Sequence, residues 1–489
     1  MANGMERFRK SPGAQVAALI AALTVVKAAA AAQIALTGYE ATYWYYAQHP
    51  ALGYFDHPAM IMWMVGASSA IFGDSYLGMR ALTILAGGLT LWLTFLAGRR
   101  LYGPEAGRLA AFILGMVPMI FSIGSRVDPD CPLFLFWMAA LWALAHAFSG
   151  GRPSWWYAAG AFLGLAMESK YPAIFFPIGI LIFLALSPDH RHWLKRPQPY
   201  LACLIALVVF SPTVIWNARH DWESFLFQAT GRIPGIEGPR LNRLHGYPVS
   251  HLLLFTPFIC LWAWAAGARA AWRWRSAPWQ DRLMAAVGLP TLLFFLAVLV
   301  ARPVKHHWPT PGYLSLFLLS SAAVIRGGPW GRRLHRATLG VLGVGYLALP
   351  FVLTQLSPDY TDCWERLAAE VRRRSPDFVI ARETWTATRL GYELRPLPAC
   401  DFSAVGEEGR RLARWWRPES LAGKDAVIVY ESNHYPDGLD LARKAFERVD
   451  DPVELFIPRD GNRKTSWMVL RAHGYRPGAS VLKFLDALR

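Results

Sequence analysis

The side chains of this chain that are best suited to chemistry are concentrated in one stretch, residues 39–60. The stretch contains seven aromatic residues and no Lys or Arg. Its carboxylates and imidazoles are Glu40, His49, Asp56 and His57. It follows an apolar run, residues 14–36, that is long enough to cross a bilayer, since about 20 apolar residues are required. We therefore expect polar chemistry at a membrane surface, in the first loop that leaves the membrane.

Glu40 is the first candidate for a general base. At helical spacing Glu40, Tyr43 and Ala47 share one face, so a helix over residues 39–48 would aim the carboxylate at a cavity at membrane level. A carboxylate that is partly desolvated there has a raised proton affinity, which suits a base. The alternative is an exposed loop carboxylate without a chemical role.

Asp56, His57 and Pro58 form a second constellation. The proline fixes the turn after His57 and starts a further apolar helix over residues 59–72. Carboxylates with an imidazole also suit several divalent ions, but the paired histidine spacing of a metal site is absent from this loop. A divalent metal is therefore possible but not indicated, and no cofactor is required.

Asp130 stands at the outer end of the third apolar segment, in the sequence Asp128-Pro129-Asp130. A carboxylate in this position can cap the following helix. It would also face any cavity at the mouth of the span, so we keep a catalytic role beside the capping role.

Two groups of basic residues lie in parts of the sequence that otherwise contain few basic residues. Lys170 interrupts two apolar segments, which favours a functional role over a snorkelling side chain or a local pair with Glu168. The second group is Arg302, Lys305, His306 and His307. Together they suggest a phosphate at the membrane surface, with binding of anionic lipid headgroups as the alternative.

The elements that position these residues are predicted to be membrane spans. Hydrophobic residues make up 54% of the chain and charged residues only 17%, which is unusual for a soluble protein of this length. Eleven apolar segments are predicted at 14–36, 77–98, 109–123, 132–149, 155–168, 171–187, 199–216, 248–268, 283–301, 309–325 and 337–355. Alternate connections and the N-terminus carry 18 Lys and Arg, which places them in the cytoplasm and the chemistry on the opposite face.

The composition of the sequence changes near residue 355. Beyond it the fraction of charged residues is higher, and short apolar runs alternate with helical patterns. We predict a transmembrane module over residues 1–355, whose first outward loop is 37–76, and a small extracytoplasmic α/β domain over 356–489. The predicted strands are 378–381, 426–430, 453–456 and 466–471, and the predicted helices are 363–374 and 439–448. The five cysteines lack paired spacing, so only Cys363 and Cys400 remain as a conceivable disulfide.

At these same residues the chain resembles the GT-C membrane glycosyltransferases, in the bacterial branch of the aminoarabinose transferases and protein O-mannosyltransferases. The similar segments, in order, are Tyr39–Trp44, Tyr54–Met60, Phe72–Arg80, Asp128–Trp137, Gly164–Tyr171, Trp216–Gln228 and His307–Pro311. One position departs from the family pattern. Where the family has an Asp-Glu pair whose Asp is the usual candidate base, this chain has Tyr39 followed by Glu40.

The resemblance implies a mainly α fold of about 11–13 spans with the small C-terminal domain. It also implies inverting transfer of a sugar from a polyprenyl-phosphate donor to a hydroxyl of lipid A, another glycan or a protein, outside the cytoplasm. The expected partners are the lipid-linked sugar, membrane lipid and the acceptor, without nucleic acid, at the bacterial inner membrane. Glu40, Asp56 and Asp130 are the implied catalytic candidates. The implied donor-phosphate residues are His57, Arg80, Lys170, Arg302 and Lys305, and the implied acceptor and cavity residues are Tyr43, Trp44, Tyr54 and His307.

Two other classes stay open. A lipid or polymer transporter would place ionisable residues inside its spans, whereas most of the charge here lies in connections. A non-catalytic membrane subunit that binds a lipid-linked glycan is compatible with Tyr39 in the position of the family's Asp.

Overall fold

The computed structural model describes residues 11–150, 152–231, 243–301, 303–356, 358–401, 415, 418–431, 438–459 and 463–477. They form two compact units. The first comprises residues 1–29, 52–64 and 80–349, and the second comprises 30–51, 65–79 and 350–489. The second unit thus combines the C-terminal residues with parts of the first predicted loop.

The first unit is helical. Its helices, including four that also contribute residues to the second unit, are α1 (Pro12–Gln33), α3 (Met60–Phe72), α4 (Tyr76–Tyr102), α5 (Pro104–Met116), α6 (Pro118–Ile123), α7 (Asp130–Phe148), α8 (Trp155–Ser169), α9 (Phe175–Leu186), α10 (Pro197–Val209), α11 (Ser211–Ala218), α12 (Glu223–Leu226), α13 (Arg243–Phe255), α14 (Pro257–Trp272), α15 (Trp279–Ala301), α16 (Thr310–Arg326) and α17 (Pro329–Leu356). All eleven predicted apolar segments are helical, three of them as pairs of consecutive helices.

These helices differ in whether they are long enough to cross a membrane. Four of the described helices are long and apolar enough to cross a membrane alone, namely α1, α4, α7 and α15 up to Val300. The pairs α10–α11 and α13–α14 pass the same test together but are bent by 53° and 102°. Several remaining apolar helices are shorter than a full span, so the number of spans stays a prediction.

Glycines allow these helices to pack closely. A Cβ added at Gly288 on α15 would lie 2.8 Å from the carbonyl oxygen of Gly312 on α16, and one added at Gly312 would lie 2.6 Å from that of Gly288. No side chain fits at either position. Small residues at helix contacts are typical of membrane bundles, where van der Waals packing replaces the hydrophobic effect between helices.

The second unit contains a mixed sheet with helices on both faces. Its strands are β1 (Phe378–Ala381), β2 (Ala399–Asp401), β3 (Ala426–Glu431), β4 (Phe446–Val449), β5 (Val453–Arg459) and β6 (Arg463–Tyr475). The order is β2-β1-β3-β6-β4, with β5 also paired to β6. β1 pairs in parallel with β2 and β3, and β6 is antiparallel to its neighbours.

The helices of this unit are α2 (Gly38–Ala47), α18 (Pro358–Arg373), α19 (Thr384–Glu393) and α20 (Gly438–Ala445). Val427 and Val429 of β3 pack with α18, while Ile428 packs on the opposite face with α20. A strand covered on both faces is apolar throughout, which is why it could be recognised in the sequence. Cys363 and Cys400 lie in separate core clusters and are not bonded to each other, so the conceivable disulfide is wrong.

One predicted element of this unit is wrong in part. The predicted helix over residues 439–448 ends at Ala445, and residues 446–449 instead form strand β4, which pairs with β6. The short segment continues the helical pattern in sequence, but Phe446 and Arg448 pair with Tyr475 and His473 in the sheet. Strand pairing across some 25 residues of sequence overrides the local preference.

Helix α2 confirms the predicted helix of the first loop, and it shows what Glu40 does there. Thr37 caps the helix by accepting a hydrogen bond from the backbone N–H of Glu40, and Glu40 Oε2 accepts one from the backbone N–H of Thr37 at 2.9 Å. This is a reciprocal capping box. Glu40 is fully buried, so the alternative of an exposed loop carboxylate is wrong.

Candidate functional site

A buried ion pair joins two of the predicted site residues in the first unit. Lys170 Nζ lies 2.7 Å from Asp130 Oδ2, and the two side chains are 4% and 1% exposed. His307 Nε2 lies 3.9 Å from the same oxygen. Within the described residues the other oxygen, Asp130 Oδ1, is buried and accepts no hydrogen bond. A buried polar atom without a partner is costly, so it marks a position that a ligand donor could satisfy.

The local fold frees Asp130 for this role. Asp128 Oδ1 accepts a hydrogen bond from the backbone N–H of Asp130 at 3.0 Å, and Arg126 lies 3.1 Å from Asp128 Oδ2. The Asp130 side chain makes no capping hydrogen bond at the start of α7, so the capping role predicted for it belongs to Asp128.

Asp56 and His57 lie in a tight turn that is also buried. Gly53 and Pro58 form a β-bridge, and the backbone N–H of Tyr54 donates to the carbonyl of His57 at 3.2 Å. A Cβ on Gly53 would lie 2.9 Å from Trp216 Cβ, so only glycine allows the turn to approach that ring. The approach fixes the turn against α11.

Two hydrogen bonds fix the same turn from other elements. Gln228 donates to the carbonyl of Asp56 at 2.7 Å, and the backbone N–H of Ala59 donates to Glu168 Oε1 at 3.3 Å. Elements that are distant in sequence therefore hold the peptide backbone that carries Asp56 and His57. Such immobilisation is what a catalytic group requires.

Glu168 is the functional candidate that the sequence analysis missed. It lies in the last turn of α8, close to Lys170 in sequence. The predicted local pair between the two is wrong, because Lys170 bonds Asp130. Glu168 Oε1 instead also accepts from Thr213 Oγ1 at 2.8 Å. Its second oxygen, Oε2, is buried without a hydrogen-bond partner among the described residues. The available signal was a carboxylate placed inside an otherwise apolar helix.

The segment 216–228 has a positioning role. Asn217 accepts a hydrogen bond from the backbone N–H of Phe225 at 3.1 Å and donates to the carbonyl of Thr213 at 2.9 Å. Asp221 and Trp222 between them adopt φ angles of +51° and +59°, in the left-handed region. Asn217 thus closes a chain reversal, and this reversal leads to Gln228.

The other predicted residues are distributed as follows. Arg80 is buried in the second turn of α4, Lys305 is exposed, and Tyr54 is buried beside the turn of Asp56. Tyr43 and Trp44 are buried in the second unit with Glu40, and Arg302 lies outside the described residues. Within the described part of the chain, no three His, Cys, Asp or Glu side chains converge to hold a metal ion.

We expect Glu168→Ala to destabilise the protein more than Glu168→Gln. Alanine leaves the Ala59 N–H and the Thr213 hydroxyl buried without an acceptor, which costs roughly 1–3 kcal/mol for each. Glutamine keeps an acceptor oxygen for both. Thermal unfolding in detergent measures the difference, with Thr213→Val as the control that removes only one of the two donors. Equal melting temperatures for the Ala and Gln variants would contradict this role of Glu168.

Known proteins are similar to this chain both in fold and in the segment that contains the site residues. Residues 56–216, which include Asp56, Asp130, Glu168 and Lys170, match the family described as dolichyl-phosphate-mannose-protein mannosyltransferase. The chain is 24% identical over 376 residues to an undecaprenyl phosphate-alpha-4-amino-4-deoxy-L-arabinose arabinosyl transferase of Pseudomonas fluorescens, covering 72% of this chain and 64% of the relative. It is 25% identical over 324 residues to a lipid A galacturonosyltransferase of Rhizobium johnstonii, covering 64% of each. The chain thus spans less than two thirds of the length of these curated relatives.

Solved structures show the same architecture. ArnT from Cupriavidus metallidurans bound to undecaprenyl phosphate superposes with a TM-score of 0.68 at 16% identity, covering 93% of this chain and 98% of that one. The oligosaccharyltransferase of Archaeoglobus fulgidus in its apo form superposes with a TM-score of 0.53 at 11% identity, covering 88% and 70%. The chain is therefore a polytopic membrane protein with the fold of the GT-C glycosyltransferases, and its sequence is similar to those of bacterial aminoarabinose transferases.

Proposed function

We propose that this protein is an inverting membrane glycosyltransferase that moves a sugar from a polyprenyl-phosphate donor to a hydroxyl of an extracytoplasmic acceptor. The observation that carries the proposal is the buried Asp130–Lys170 pair with an unused carboxylate oxygen, set in the segment that matches the mannosyltransferase family. Undecaprenyl phosphate is bound by the similar ArnT structure, and the named relatives act with undecaprenyl phosphate-linked aminoarabinose or on lipid A.

The reaction requires a base and a stabilised leaving group. The acceptor oxygen attacks the anomeric carbon, the bond from that carbon to the donor phosphate breaks, and the hydroxyl proton passes to a carboxylate. We assign the base to Asp56, because its turn is fixed from α8, α11 and Gln228. The unused oxygen of Asp130 orients a hydroxyl of the bound substrate.

Negative charge develops on the phosphate as the bond breaks, so cations near it stabilise the transition state more than the ground state. Of the predicted cations, His57 and Arg80 are buried, Lys305 is exposed, and Lys170 is committed to Asp130. We therefore propose that Lys170 positions Asp130, and that His57, Arg80, Arg302 and Lys305 are the groups that meet the phosphate.

Transfer of labelled sugar by the purified protein in proteoliposomes tests the proposal. A polyprenyl-phosphate donor and extracted envelope glycolipids, glycans and proteins are supplied, and the label is followed into each acceptor class. Label in an acceptor supports the proposal. Donor binding without transfer would instead identify a non-catalytic subunit, and movement of intact donor across the bilayer would identify a transporter.

The orientation is proposed from charge alone. The basic connections are expected in the cytoplasm, so Asp56, Asp130 and the residues after 355 lie on the outer side of the inner membrane. A reporter that is active only in the cytoplasm should then be silent when it is fused after Arg489. The same reporter inserted at Arg152 should be active. An active C-terminal fusion would overturn the proposed location of the site.

A further inference from the structure

The second unit contains a cleft that the proposed transfer site does not use. Its volume is about 430 Å³, within the range of small-ligand pockets. It lies between the C-terminal end of α2, the segment 395–399, Trp415 and the segment 420–424. All of these residues belong to the same compact unit.

One wall of the cleft is built from flat rings. The rings of His49 and Trp415 stack with centroids 4.7 Å apart and an interplanar angle of 6°. Tyr45 packs beside both, with centroids 5.3 Å from His49 and 6.2 Å from Trp415. Burial lowers the pKa of His49, so the imidazole is uncharged at neutral pH and stacks as an aromatic ring. Such a wall offers an apolar plane to the C–H face of a sugar ring.

Two cations converge on the same space. The Arg395 guanidinium lies 3.9 Å from the centroid of the Tyr392 ring and 5.6 Å from that of Trp44. This stacking orients its N–H groups without consuming them in an ion pair. Lys424 is exposed at the rim. Neither cation forms a salt bridge with a described residue.

Two carboxylates that neighbour the cleft in sequence are engaged elsewhere, and a third, Glu419, is exposed to solvent. Glu393 pairs with Arg389 at 2.7 Å, and Asp425 pairs with Arg471 at 3.1 Å and His473 at 2.8 Å. The lining contains no Asp or Glu among the described residues. The described lining residues of the cleft therefore carry only positive charge, which favours an external anion.

We propose that this cleft binds an anionic saccharide, a sugar that carries a phosphate or carboxylate. The sugar ring of the ligand stacks on the wall formed by His49 and Trp415. Its phosphate or carboxylate binds Arg395 and Lys424. For a glycosyltransferase this would be an acceptor-recognition site, and in that respect the inference rests on the proposed function. The same headgroup could arrive on a membrane glycolipid or on a soluble glycan.

Binding measured without donor tests the site apart from transfer. The full chain in nanodiscs of zwitterionic lipid is titrated with a phosphorylated glucosamine disaccharide and with its unphosphorylated counterpart, followed by saturation-transfer NMR. We expect saturable binding of the phosphorylated probe, and weakening of roughly tenfold in Arg395→Gln and in Trp415→Ala. Lys424→Gln should weaken binding in the same direction. Arg443→Gln removes an exposed cation of the same unit outside the cleft and should leave binding unchanged.

A second arm separates the two sources. The same probe with acyl chains, incorporated into the nanodiscs, should bind more tightly if the ligand is a glycolipid and equally if it is a soluble glycan. Equal binding of phosphorylated and unphosphorylated probes, or equal affinity in Arg395→Gln, Lys424→Gln and Arg443→Gln, would overturn the inference. Transfer activity together with either of these binding results would support the proposed function and contradict the binding site. Probe binding without transfer would support the binding site and contradict the proposed function.

Discussion

Asp130→Asn is expected to lower sugar transfer by roughly 10²-fold or more, because it removes a charge-assisted hydrogen-bond acceptor from a site shielded from water. The same change also leaves Lys170 buried without its partner. Removing one member of a buried ion pair costs about 3–5 kcal/mol of stability. Loss of activity in the single variant therefore has two possible causes, chemistry and misfolding.

The double variant Asp130→Asn/Lys170→Met separates these causes. It removes both charges at once, so stability should return to near the original value, since neutral replacement of a buried pair is often tolerated. Transfer should remain lost if Asp130 contacts the substrate. Thermal unfolding and transfer are measured on both single variants and the double variant.

Arg373→Gln is the matched control for this experiment. Arg373 pairs with Glu370 at 2.8 Å, but its side chain is 76% exposed, and such pairs contribute about 0–1 kcal/mol. It should change neither stability nor transfer measurably. Recovery of both stability and transfer in the Asp130→Asn/Lys170→Met variant would show that the pair is purely structural, and it would remove Asp130 from the chemistry.

Much of the architecture could be predicted because local sequence patterns determine it. The apolar segments and the buried strand Ala426–Glu431 depend on composition over a few turns or a few residues, which a single sequence displays. Helix α2 was also predicted, since its spacing is local. Strands β2 and β4 were not, because β2 is only three residues long and the sequence of β4 continues the helical pattern that precedes it.

The candidate site was only partly predictable for the same reason. Asp130, Lys170 and His307 were each recognised by residue type and position, but their contact joins residues up to 177 positions apart. Glu168 was assigned to the wrong partner, because a neighbour in sequence was preferred over Thr213 and the backbone of Ala59. The side chains that hold a turn in place are determined by tertiary packing, which a single sequence does not display.

The motif residues of segment 216–228 illustrate this limit. Their order matched a family pattern, yet the pattern itself gave no physical role. In the structure, Trp216 supplies the surface that Gly53 contacts, Asn217 closes the chain reversal, and Gln228 reaches the carbonyl of Asp56. All three act on the position of other residues, so their substitution should impair transfer through geometry.

Asp56→Asn is expected to lower turnover by ~10²–10⁴ with little change in donor binding, which is the effect of removing a general base. Glu40→Gln tests the competing assignment. Glutamine at this position still completes a capping box, so the variant keeps α2 while removing the carboxylate. Because Glu40 Oε2 already binds Thr37, we expect Glu40→Gln to stay within about tenfold of the original turnover, below the contribution of a general base.

Single-turnover rates with saturating donor compare these two variants directly, and circular dichroism confirms that each is folded. Tyr39→Asp is the informative third variant, because it restores the acidic residue that the family pattern has before Glu40. Tyr39 is 47% exposed and packs edge-on against Trp385 with ring centroids 3.9 Å apart, so the new carboxylate would not be buried. A gain of activity in Tyr39→Asp would show that this chain lacks its best base. A loss of 10²-fold or more in Glu40→Gln, with Asp56→Asn near normal, would move the base from Asp56 to Glu40.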